Sequence, residues 1–226
     1  MKIIHTFFLI VCTAFICTGT TPVVSGNSVK KGDKTVSFYK GGSFLLHGKE
    51  IRCQGSLTIG TMGGYFSFGS RNIKSSFSKP EKGVFLYKGT VPANKNGASM
   101  EVSEEVSLTP MGSLEFQITW KCENMRDAKD MFFGLRFPMA HFKDQKVLVG
   151  TQEVLILNQS KYGFFVKDKL SDPGLVFYNW DKTRKFTIQC EGNIKVVMQS
   201  TKDKEYLLRI YPPAGNNTLR FTLSFQ

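Results

Sequence analysis

Histidine and tryptophan are scarce in this 226-residue chain, at three and two copies. His5 lies in an apolar N-terminal stretch, which leaves His47 and His141, far apart and with no neighbouring serine or cysteine to activate. Two isolated histidines do not make a metal motif or a nucleophile–base pair. The chain also lacks GxSxG, HExxH and P-loop motifs. No metal or cofactor is expected, and catalysis loses its usual sequence signatures. Helical periodicity is missing as well, since no segment keeps apolar residues at i, i+3, i+4 and i+7 over three turns. The best helical stretch, Met125 to Met131, is worth a turn or two. No apolar run is long enough to cross a bilayer, so no transmembrane segment is expected.

The longest apolar run, Phe7–Cys17, follows Lys2 and precedes small and polar residues up to Val24, Ser25 and Gly26. That order describes a secretory signal peptide over residues 1–26, cut after Gly26 or alternatively after Gly19. Neither Cys12 nor Cys17 follows a small residue, so a soluble secreted or periplasmic protein is expected rather than a lipid-anchored one. The remainder, 27–226, reads as a single domain. It keeps Cys53, Cys122 and Cys190, an odd set that allows at most one disulfide. Their main reading is as small buried apolar residues.

Acids are outnumbered: 30 Lys and Arg face 18 Asp and Glu, for a net charge of +12. The excess is spread along the chain, from Lys30, Lys31 and Lys34 to Lys161, Lys167, Lys169, Lys182 and Lys185. For an exported protein the available acidic partners are polysaccharides, anionic glycans, envelope polymers or lipid head groups, and not nucleic acid; the alternative is a solvated surface that keeps the protein soluble. The densest acids, Glu101, Glu104 and Glu105, read as solvated residues on a strand face. Glycosidases need two carboxylates across a cleft, and the sequence marks no such pair.

What is abundant is alternation of period two, broken by Gly, Pro, Asn and Asp. In Leu114–Trp120 the residues Leu114, Phe116, Ile118 and Trp120 share one face and Glu115, Gln117 and Thr119 the other. Thr218–Phe225, Tyr206–Ile210, Ile194–Met198 and Phe186–Cys190 repeat the pattern. Shorter strands are expected at 36–39, 43–47, 56–60, 64–68, 83–87, 105–108, 132–137, 153–157, 163–166 and 175–178. This spacing predicts an all-β antiparallel sandwich, supersandwich or jelly-roll-like, without long helices.

Residues 104–120 (EEVSLTPMGSLEFQITW), the polar excursion CENMRDAKD and then FFGLRFPM (132–139) resemble a paired-strand element of the large β-sandwiches attached to polysaccharide-degrading enzymes. The galactose-mutarotase-like supersandwich is one of them. The resemblance implies a sandwich fold and a carbohydrate context. It brings no catalytic residue, because no position here matches one.

The two tryptophans read differently. Trp120 shares parity with Leu114, Phe116 and Ile118 and is expected in the core. Trp180 stands in the polar loop Asn179, Trp180, Asp181, Lys182, with Lys185 close by. An aromatic platform rimmed by hydrogen-bonding groups suits a sugar ring, so these five residues are the candidate ligand-binding set; the alternative is a ring folded back to cap the sandwich edge. Three functional classes follow: a non-catalytic carbohydrate-binding or glycoside-hydrolase-associated module, a glycan-active hydrolase or lyase, and a structural or adhesive envelope protein. The missing catalytic motifs favour the first.

Overall fold

The computed structural model describes residues 20–49, 52–71, 73–124, 128–142, 146–149, 152–155, 164–170, 175–178, 185–191, 194–201, 204–213 and 215–225. A meander opens the first sheet with β1 (Val23–Ser25), β2 (Ser28–Lys31), β3 (Lys34–Phe38), β4 (Phe44–His47) and β5 (Arg52–Thr61). Next comes β6 (Gly64–Ser67), which pairs with the second half of β5. The chain crosses to the second sheet for β7 (Lys74–Ser78), β8 (Val84–Pro92), β9 (Ser99–Leu108) and β10 (Leu114–Cys122), and returns with β11 (Ala128–Pro138). A short helix, α1 (Met139–Phe142), precedes β12 (Lys146–Val149), β13 (Gln152–Leu155), β14 (Phe164–Leu170) and β15 (Leu175–Tyr178). The last strands are β16 (Lys185–Cys190), β17 (Ile194–Ser200), β18 (Glu205–Tyr211) and β19 (Thr218–Phe225).

The first sheet runs β1-β2-β3-β4-β5-β11-β18-β17-β14 and the second β13-β12-β15-β16-β19-β10-β9-β8-β7. The pairings that carry the centre of each sheet are antiparallel. The expected all-β sandwich is the architecture found, and α1 is the only α-helix among the described residues. No described helix is long and apolar enough to cross a membrane. Met125 to Met131 departs from expectation: its described part, from Ala128, is already strand, with a register irregularity between Ala128 and Asp130.

Side-chain parity decides which face each strand buries. On β10, Leu114, Phe116, Ile118 and Trp120 are buried, and on β19 Leu219, Phe221 and Leu223. From the first sheet, Phe44, Leu57, Ile59, Phe133 and Leu135 meet them in one continuous core. Phe116 stacks on Phe221 at 4.6 Å and touches Phe44 at 5.6 Å and Phe133 at 5.3 Å, so rings from both sheets interlock. Each buried Phe contributes about 1.5–3 kcal/mol, and favourable ring pairs about 0.5–1.5 kcal/mol more. Cys53 is buried in this core, where desolvation pushes its thiol pKa up, and Cys53, Cys122 and Cys190 are all free thiols.

Candidate functional site

The outward face of the second sheet carries two successive rungs of polar side chains. Cross-strand register aligns Lys74 of β7 with Thr90 of β8, Thr90 with Glu101 of β9, and Glu101 with Lys121 of β10. The next rung aligns Ser76, Lys88, Ser103 and Thr119 in the same way. Their alternate neighbours Tyr87, Val102 and Trp120 are core residues, so parity turns these two rungs away from the other sheet. Side chains on adjacent strands stand about 4.8 Å apart, so four strands give a floor about 14 Å wide.

These rungs floor an open groove of about 1100 Å³. Lys40, Arg71 and Asn217 also line it. Five cations (Lys40, Arg71, Lys74, Lys88 and Lys121) thus surround one acid, Glu101. Among the described residues none of these six forms an ion pair. Unneutralised cations sharing a concave surface set up a positive potential that draws and holds anions. Ser76 is fixed from behind, its hydroxyl donating to the Lys88 carbonyl at 3.3 Å.

One residue behind the groove floor is out of keeping with its surroundings. Glu104 belongs to the buried row Met100, Val102, Glu104, Val106 of β9 and is 0% exposed. This corrects the solvated reading of the acidic group, which holds for Glu101 and Glu105 only. Both carboxyl oxygens of Glu104 lack a hydrogen-bond partner, as does the hydroxyl of its register partner Tyr87. Desolvation raises the Glu104 pKa to about 8. Burial, and then the charge of Glu104, pushes Tyr87 up as well. The carboxyl rests on the 3-10 turn Lys40–Gly42, where Gly41 and Gly42 have φ of +63° and +71°. A Cβ at Gly42 would strike the Glu104 carboxyl, and one at Gly41 the Phe68 carbonyl, so only glycine fits this turn. Lys40, at its start, is thereby delivered to the groove.

Only one residue of the candidate set read from the sequence, Lys185, is among the described residues. Asn179, Trp180, Asp181 and Lys182 fall outside the described residues. Lys185 opens β16 opposite Tyr178, at the end of the sheet where Phe186 pairs with Phe225. The groove is at the other end, where Thr119 pairs with Thr218. Register therefore puts Lys185 and the groove at opposite ends of β19. Trp120 takes the core position expected of it, 5% exposed, and also borders the groove.

No protein-family model matches the chain, and no curated protein matches it in sequence. Among solved structures it is similar to a GalM/aldose epimerase homologue from C. elegans, over 92% of this chain and 98% of that one, at 8% identity and a TM-score of 0.48. At that distance the likeness says nothing about ligand or chemistry.

Proposed function

We propose that this is an exported, non-catalytic module that binds an anionic carbohydrate along the groove across β7–β10. The supporting observation is a set of five cations, without an ion pair among the described residues, over a floor of Ser and Thr hydroxyls. Ammonium and guanidinium groups make charge-assisted hydrogen bonds to carboxylate or sulfate, while the hydroxyls and Asn217 suit neutral sugar edges. An enzymatic reading has less support, because glycoside hydrolysis takes two facing carboxylates and Glu101 is the one acid among the described residues lining the groove.

Titration against neutral, uronic-acid and sulfated polysaccharides tests this reading. Changing Lys74, Lys88 and Lys121 together to Gln is expected to cost about tenfold or more in affinity at low salt, three screened surface interactions' worth. The deficit should close towards 1 M salt, where charges are screened over about 3 Å. Equal affinity of variant and wild type at low salt would place binding off this groove. Trp180→Ala in the same titration reads the candidate set around residue 180: a stacking contribution there would be lost at every salt concentration, and Lys182 and Lys185 would supply only a salt-sensitive part.

Export rests on the leader, and the first hairpin bears on where it is cut. Val23–Ser25 pairs with Ser28–Lys31 as the edge of the first sheet. Cleavage after Gly19 keeps this hairpin, whereas cleavage after Gly26 removes β1 and leaves β2 at the edge. The mature N-terminus is expected at Thr20, and the intact mass of the secreted protein checks it; a start at Asn27 would mean that β1 is discarded.

A further inference from the structure

Across the groove, from β7 to β10, the charged side chains run Lys74, Lys88, Glu101, Lys121, with the sign inverted at a single position. Glu101 is exposed and sits directly beside Lys121 in register, yet the two form no ion pair. Its carboxylate is therefore free to meet a ligand. Thr90 flanks it on the same rung and Ser103 follows it on its own strand, so the acid is set among hydroxyls.

From this pattern we infer that Glu101 is a specificity-determining residue: the groove takes glycans in which a charged sugar is followed by an uncharged, hydroxyl-bearing one, and discriminates against chains charged on every unit. The inference rests on the groove's binding anionic glycan. An extended chain of alternating charge lying across the strands sets anionic groups against Lys88 and Lys121, on the strands either side of Glu101. A chain with a carboxylate on every unit also sets one against Glu101, and facing like charges repel. A neutral sugar at that place offers hydroxyl donors instead, and an ionised carboxylate accepts them strongly. The acid thus favours one spacing of charge while lowering the groove's total attraction for polyanions, a form of discrimination built on a repulsive element.

The test compares two carboxylated polymers of matched length. In heparosan a uronate alternates with a neutral N-acetylated sugar; in polygalacturonate every unit is a uronate. Wild-type protein, Glu101→Gln and, as a control, Glu105→Gln on the same strand outside the groove are titrated against both at low salt. The wild type is expected to prefer heparosan, and Glu101→Gln to reduce that preference by roughly fivefold, the upper end for one exposed charge contact. Losing a negative charge raises affinity for any polyanion, so the ratio between the polymers is the readout. Glu105→Gln should leave the ratio where it was. A ratio unchanged in Glu101→Gln, with affinity for both polymers raised equally, overturns the inference and leaves glycan binding standing. Failure of the wild type to bind either polymer overturns the glycan reading and the inference with it.

Discussion

Glu104→Gln is expected to remove most of the pH dependence of this protein's stability between about pH 4.5 and 8. The acid's pKa is raised from 4.5 to about 8 in the folded chain, through desolvation. A raised carboxyl means that folding favours the neutral form. The stability it carries is fully present below the unfolded pKa, and it drains away as pH climbs through the folded value. Over this window the loss amounts to about 4–5 kcal/mol at 1.36 kcal/mol per unit. Gln keeps the shape of the neutral acid and cannot ionise. Urea unfolding of wild type and variant across pH 4–9 reads the difference directly, with all other groups cancelling. The two should lie within about 1 kcal/mol of each other at pH 4, the scale of one altered polar contact. At pH 8.5 the variant should be the more stable by several kcal/mol. Parallel curves would mean that Glu104 ionises in the fold as readily as in the unfolded chain, and that its carboxyl has found water or a partner.

Glu104 also shows what the sequence offered and where a prior about residue type intervened. Its parity was legible, since Val102 and Val106 alternate with it, and a reader trusting period two alone would have buried it. The charge argued otherwise, because acids are rarely buried without a partner. The strands with strong apolar alternation were readable for the same reason that they are stable. Thr218–Phe225 is β19 residue for residue, and Leu114–Trp120 is β10 short of its end. Those that escaped reading, β1 (VVS), β2 (SVKK), β7 (KSSFS) and β12 (KVLV), are short. β2 and β7 have one apolar side chain each, and β7 is an edge strand, a position kept polar to resist pairing with other chains. The groove was out of reach for a further reason. Lys74, Lys88, Glu101 and Lys121 are dispersed over nearly fifty residues, and only register brings them onto neighbouring rungs. Each contributes an ordinary polar residue to the solvent face of its own strand, which carries no local signal.

Trp120→Ala is expected to destabilise the protein by about 3–5 kcal/mol, the usual cost of emptying a large aromatic site. Its indole is 5% exposed, part of the continuous core, and follows Leu114, Phe116 and Ile118 on one face of β10. Its backbone N–H donates to the Asn217 carbonyl at 3.1 Å, holding the end of β10 against the start of β19. Alanine leaves that bond and the strand pairing in place, so the loss measures side-chain packing alone. Because Trp120 also borders the groove, stability and binding must be read together. Urea midpoints give the first, and titration with an anionic polysaccharide well below the midpoint gives the second. A core role predicts a large drop in midpoint with affinity close to wild type in the folded fraction, since the cations of the groove stand on their own strands. A drop below about 1 kcal/mol together with lost affinity would turn the ring into a sugar platform, because a solvent-facing side chain has little packing to lose. Trp120→Phe separates the two further: it refills most of the core volume and should recover the greater part of the stability.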